Sequence, residues 1–407
     1  MAISVLSGSP QAATPVFNKM LFKVSGSLTS ATNYRYVCDV KDAAGTTTLA
    51  RLKCDKLPTT NYGFFDVQKV VETLVAPTKP TLAQVGFADH AGFYSGYRLT
   101  FMEEYGTTPV VQTGTTTNVT GNIAFAGNLE QLELADWSGG MYFPSDALQG
   151  GENALTTTCI PISSPANALN VVYSDSYGFL CVGAGFSGAV VSANVVYTNA
   201  AGSIVRNFSV PRPLSVSGSI HRFGAGPMNL KALTSAQCSD GQAGSFDFPT
   251  AEGAGYYIQF IDVNDEGYTA TWYRLGPCQR FNSQPVHFVN KYGGIDSYTF
   301  TLKNRKRANV QRDTFGYNSD VYATLTYDKV WAGSFDYVYA LNSDWLTDAE
   351  SEWLIEMVRS GYVWLELNGQ LVEAVVNANQ YQFVTRRNDR LTQLQLEVAV
   401  AYDNNIL

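Results

Sequence analysis

The sequence predicts a mainly β chain, made of several β-sandwich or barrel-like modules with few helices and closed by a C-terminal α+β region. Three observations predict it. Short runs of Thr, Val, Tyr and Phe alternate with Gly, Asn, Asp and Pro punctuation, the pattern of strands on a pleated, half-buried surface. One hairpin-like pattern recurs three times, and only two stretches carry helical spacing.

The first hairpin copy is YRYVCDVKDAAGTTTLARL, from Tyr34 to Leu52. The second runs from Ser192 to Val210 and the third from Tyr256 to Leu275. Each is strand, turn, strand, and each is followed by a proline: Pro58, Pro211 and Pro277. Gly45, Gly202 and Gly267 stand where the turns need positive φ. The first helical stretch, FDVQKVVETLVAP, has Val67, Val70, Val71, Leu74 and Val75 at helical spacing, Asp66 at its start and Pro77 at its end. The second runs from Asp348 to Ser360. Thr347 and Glu350 make a capping box, Gly361 a stop, and Trp353, Leu354, Met357 and Val358 one apolar face, with Trp345 placed to pack near the start.

Between these elements, TGTTTNVTGN (Thr113 to Asn122) reads as a loop or linker. PSDALQGGENALTT (Pro144 to Thr157) reads as a crossing between domains, and GPCQRFNSQP (Gly276 to Pro285) as a second separator. The division that follows is an N-terminal β-rich domain over residues 1–150 with one short helix, a middle β-sandwich-like domain over 151–284 and a C-terminal α+β assembly domain over 285–407.

The surface chemistry points toward permanent contacts. Only 15% of the 407 residues are charged, against about 25% in ordinary soluble proteins. An uncharged polar surface is less costly to bury than an ionic one. The net charge of −8 argues against general nucleic-acid binding. One basic run interrupts this balance: Lys303, Arg305, Lys306, Arg307 and Arg312 follow a strand, as at the tip of a long hairpin, and suit solvent, an acidic neighbour or a phosphate. The six cysteines have neither CxxC nor zinc spacing and sit among apolar residues, as buried free thiols do. No signal peptide is expected from residues 1–20, and no apolar run is long enough to span a bilayer.

Chemical motifs are weak. GAGFSG (Gly183 to Gly188) matches GxGxxG but is followed by β-type sequence instead of a helix. DVNDEG (Asp262 to Gly267) starts like a calcium loop, yet Tyr273 stands where the bidentate Glu belongs. His90, His221 and His287 are isolated, and the Glu103/Glu104 pair reads as an exposed strand end. Gly293 and Gly294 break an aromatic strand at a bulge or tight turn, and Asp296 is placed to cap or to meet the basic run. No catalytic residue, cofactor or metal site is expected.

The opening region, PVFNKMLFKVSG through NYGFFDVQKVVETLV, resembles the first domain of structural proteins of tailed phages that infect Bacteroidetes, crAss-like phages among them. Pro15, Asn18, Phe22, Tyr36, Asp39, Val40, Gly63, Phe65 and Asp66 carry that likeness. Asn290, Tyr292, Gly293, Gly294 and Asp296 carry it later, with Ser343, Trp345, Leu346, Glu352, Trp353 and Leu354, and then Asn388, Asp389, Leu391, Glu397 and Val398. The likeness covers about half the chain and leaves the middle region unmatched. It implies a non-enzymatic virion component, often tail-associated, assembled in the host cytoplasm. The leading expectation is a tail or neck protein that forms a ring or sleeve with copies of itself and other tail or neck proteins, through β-edges and aromatic contacts. Tyr292, Tyr298, Phe300, Arg305, Lys306, Arg307, Trp345 and Trp353 are the contact candidates. The alternatives are a receptor-binding or fibre-attachment protein meeting host surface glycan through exposed Tyr and Trp of the middle domain, a head decoration protein, and a cell-wall hydrolase. Neither specific nucleic-acid binding nor membrane insertion is expected.

Overall fold

The computed structural model describes residues 3–406 apart from 139–141, 144–152, 160–167, 184–189, 217, 245–253, 277–282, 318–326, 378–391 and 401–403. The chain is mainly β, with several sheets and few helices. The Gly183–Gly188 motif and both proposed separators fall largely outside the described residues.

Two modules are three-on-five β-sandwiches. In the first, a five-stranded sheet runs Ala13–Pro15, Val110–Phe125, Tyr94–Tyr105, Arg35–Asp42, Thr48–Asp55. A three-stranded sheet, Ser4–Val5, Leu21–Ser25 and Gly63–Asp66, covers one face of it. Phe22 and Phe65 from the small sheet meet Phe101 from the large one, ring centroids 6.0 and 5.8 Å apart. In the second, Asn170–Val172, Thr271–Leu275, Gly255–Asp262, Val190–Thr198 and Ile204–Pro211 form the large sheet. Phe179–Gly183, Ile220–Gly224 and Phe87–Asp89 form the small one. Phe87 and Phe223 close on Phe260 at 5.9 and 6.3 Å. Alternation of large apolar residues on the inner faces is what drives each pair of sheets together.

The third module is one eight-stranded sheet. Its order is Ile295–Phe300, Gln284–Val289, Val363–Leu367, Gln370–Val376, Thr392–Val400, Tyr327–Leu346, Arg305–Tyr317, with Asn404–Ile406 also paired to Tyr327–Leu346. The Asp348–Arg359 helix lies on it. Trp353 from the helix packs 6.1 Å from Phe288 and from Tyr298. The capping box is formed: Thr347 Oγ1 accepts from the Glu350 N–H, and the Glu350 carboxylate accepts from the Thr347 N–H.

All three recurrent patterns are antiparallel hairpins. Gly45 and Gly202 take φ of 75° and 78°. In the third turn the positive φ (63°) falls on Asp265 instead of Gly267. Asp262 Oδ1 there accepts from the N–H of Asn264 and of Glu266, so its carboxylate organises the turn. Gly267 lies against the end of the Gln259 side chain, whose Nε2 donates to the Tyr268 carbonyl at 3.0 Å.

Two expectations are corrected. Residues 113–122 are not a linker but the middle of the Val110–Phe125 strand, paired along Tyr94–Tyr105. β-Branched Thr and Val suit that pairing, and the neighbouring strand overrides the local loop signal. Residue 150 is also not a clean boundary, because Phe87–Asp89 pairs with Ile220–Gly224 in the second sandwich.

Candidate assembly interface

The basic run builds a strand. Arg305, Lys306 and Arg307 are consecutive, so on an extended backbone their side chains alternate between the two faces. A strand charged on both faces has no face to bury. Every residue from Arg305 to Gly316 is exposed. This strand pairs with Tyr327–Leu346 from Arg305↔Ala340 to Tyr317↔Tyr327, with one irregularity after Asp313. It is the edge of the sheet, so one whole side of its backbone has no strand partner among the described residues. The pair is anchored at its base, where Val338, Ala340 and Leu341 are buried and Thr392–Val400 joins the partner strand, and again farther out, where Asn404–Ile406 pairs with Gly333–Phe335. The result is a long antiparallel arm, not the loop tip that the basic run suggests on its own.

The arm carries partly exposed apolar side chains: Val310 (49% exposed), Phe315 (43%) and, on the partner strand, Val330 (44%). Lys306 Nζ lies 3.5 Å from the centroid of the Tyr337 ring, and Arg307 pairs with Glu397. Among the described residues, no carboxylate pairs with Arg305 or Arg312. Long exposed edges bearing apolar groups are templates for pairing with another chain.

The other contact candidates are scattered. Trp345 is 58% exposed, so it does not pack on the helix start as its position suggests. Tyr298, Phe300 and Trp353 are buried in the third core and cannot meet a neighbour. Tyr292 is half-buried, its ring stacked 4.7 Å from Tyr142 at the junction of the modules. Sequence cannot distinguish an aromatic residue on an inner strand face from one on an outer face. Sequence reasoning missed Val310, Phe315 and Val330, and the three consecutive charges Arg305–Arg307, which on a strand must occupy both faces, are the signal for an exposed arm.

A second concentration of polar groups lies where the C-terminal helix meets the first sandwich. It borders a cavity of about 480 Å³ lined by Phe17, Lys291, Glu356, Arg359 and Tyr362 among others. Lys291 Nζ pairs with Glu133 Oε1 at 2.6 Å, and the Lys291 N–H donates to Glu356 Oε2 at 3.2 Å. Burial, and then the nearby Asp296 carboxylate, push Glu356 up to about 7 against the opposing pull of Lys291. Burial also raises Asp296 to about 6, although Trp353 Nε1–H donates to its Oδ2 at 2.8 Å. Asp296 is therefore an inner carboxylate and does not meet the basic run.

The remaining chemical candidates are dispersed. Glu103 and Glu104 are buried, not an exposed strand end. As strand neighbours they point to opposite faces, so they do not converge on one glycosidic bond. Glu103 accepts from the Tyr34 hydroxyl at 2.8 Å, and Glu104 pairs with Lys53 at 2.7 Å. The three histidines are fully buried; desolvation drops His221 to about 4 and holds His90 well below its usual value. Cys181 Sγ lies 3.7 Å from His90 Nε2, but burial pushes its thiol up to about 12, away from a thiolate nucleophile. Cys38, Cys54, Cys159, Cys181 and Cys238 are free thiols, and Cys278 lies outside the described residues. Among the described residues no group of three His, Cys, Asp or Glu gathers as a metal site, and no helix is long and apolar enough to cross a membrane.

No protein-family model and no curated protein matches the chain. Among solved structures, the fibronectin(III)-like modules of CbhA from Clostridium thermocellum are similar over 68% of this chain and 94% of theirs. That similarity has 9% identity and a TM-score of 0.17, too low to carry weight, and the sandwich description rests on the sheets themselves.

Proposed function

We propose that this chain is a non-enzymatic structural component of a tailed-phage virion, a tail or neck protein that assembles as a ring or sleeve with copies of itself. The observation that carries the reading is the open arm: an edge strand exposed from Arg305 to Gly316 and, among the described residues, unpaired along one side. Such an edge costs solubility in a solitary protein and is useful where another chain covers it. The low charged fraction fits a surface meant for burial, and the likeness to phage structural proteins supplies the setting.

The receptor-binding alternative relies on exposed aromatic residues in the middle region. Trp272, Tyr256, Tyr268 and Tyr273 are instead buried there, which leaves that reading without those rings as a glycan platform.

Light scattering with negative-stain imaging of the purified protein tests the proposal, together with imaging of phage particles labelled at this chain. Closed rings or stacked sleeves, with label on the tail or neck, are the expected result. A stable monomer and unlabelled particles would overturn it. Label confined to the capsid would favour the decoration protein.

A further inference from the structure

We propose that the open edge of the Arg305–Tyr317 strand docks on the acidic body of a second copy of this chain, head to tail. The inference rests on the assembly reading above and adds the surface, the partner and the polarity. Lys303, Arg305, Lys306, Arg307 and Arg312 against Asp313 give residues 303–317 a net charge of +4. With −8 on the whole chain, the remainder carries −12. The edge strand is therefore opposite in sign to the rest of the protein that bears it.

Within one molecule neutralisation is partial: Arg307 pairs with Glu397, while among the described residues no carboxylate pairs with Arg305 or Arg312. Arg312 sits opposite Gly333, about 40 Å along the partner strand from Trp345 at roughly 3.3 Å per residue. The exposed carboxylates Asp344, Asp348 and Glu352 flank that tryptophan in sequence. A continuous strand cannot fold back over itself, so Asp344, Asp348 and Glu352 are out of reach of Arg312 in the same molecule and open to the arm of a second copy. Arm-to-arm pairing about a two-fold axis would bring two strands of net charge +4 together against their mutual repulsion. A contact of arm on body joins two different patches. Such heterologous contacts close into rings when the rotation permits and otherwise extend as filaments. Val310, 49% exposed, supplies apolar surface for the contact.

Sedimentation velocity of the full chain at low and high ionic strength tests the proposal. Wild type should assemble at low salt and dissociate as salt screens the contact. R305E/R312E should weaken assembly by tenfold or more without changing the melting temperature, since among the described residues neither side chain has a carboxylate partner to lose. R305K/R312K should assemble like wild type, and R305Q/R312Q should fall between and serve where the reversal disturbs folding. In a mixture with wild type, R305E/R312E should shorten the assemblies. A heterodimer tighter than either homotypic complex would instead reveal arm-to-arm pairing and overturn the head-to-tail contact. Assembly by R305E/R312E equal to wild type would overturn the arm as the contact while leaving the assembly reading in place. Wild type that is monomeric at every salt concentration would overturn both. If that monomer retains a labelled DNA duplex and R305E/R312E releases it, the strand is a phosphate site.

Discussion

Glu356 is held at the junction of the helix and the first sandwich by a compromise among three charges. Lys291 favours its ionised form, while burial and Asp296 oppose it, and the opposition wins. Its folded-state pKa, about 7, lies above the ordinary 4.5, so the folded protein binds this proton more tightly than the unfolded chain does. The ionised carboxylate thus costs stability at alkaline pH, and the cost fades as pH falls from about 7 to below 4.5. Asp296 acts in the same sense, between about 6 and 3.8. Glu356→Gln should therefore raise the melting temperature at pH 8, by a gain on the order of 2–3 kcal/mol, and have little effect near pH 4. Equal melting temperatures of variant and wild type at pH 8 would show that the Lys291 contact outweighs desolvation. None of this was legible in the sequence. The groups that decide the balance come from positions 291, 296 and 356, which only the tertiary fold brings together. Glu103 and Glu104 teach the same lesson: two adjacent acids look exposed until Tyr34 and Lys53, far along the chain, arrive to satisfy them.

At the scale of elements, legibility followed how local the determining interaction is. The Asp348–Arg359 helix was readable because its cap is made by Thr347 and Glu350, three residues apart. Thr347→Ala should cost about 1 kcal/mol, seen as a lower midpoint in urea with an unchanged slope. The Val110–Phe125 strand was not readable as one, since its Thr-, Gly- and Asn-rich centre has loop composition and gains its order from Tyr94–Tyr105. The arm was half readable. Its charges were evident, yet the strand that aligns them lies beyond residue 326, and the run was read as a turn. Because Val310 is 49% exposed, V310T should change the stability of the isolated chain by no more than about 0.5 kcal/mol. The same variant should weaken self-association. Unfolding that shifts in step with assembly would mean the arm packs on its own body.

For the whole molecule, the arrangement of cores decides how the parts cooperate. One apolar cluster holds Phe22, Tyr36 and Phe101 of the first sandwich together with Phe179 and Ile220 of the second and Val289, Ile295 and Trp364 of the C-terminal sheet. The modules visible as sequence patterns are therefore not independent folding units. Trp364 is the clearest link. It belongs to a C-terminal strand, is 1% exposed, and its ring lies 6.4 Å from that of Phe93, just before the Tyr94–Tyr105 strand. Removing it empties a volume bordered by both modules. Trp364→Ala should cost about 3–5 kcal/mol. Amide hydrogen exchange should locate the damage: faster exchange in Tyr94–Tyr105 as well as in Gln284–Val289, which pairs with the tryptophan's own strand. Loss of protection confined to the C-terminal sheet would mean that the shared cluster is contact without coupling. Loss in both would make the body a single rigid block. Rigidity of that kind is what a projecting arm needs, if the strain of docking on a neighbour is to be borne without opening the sandwiches.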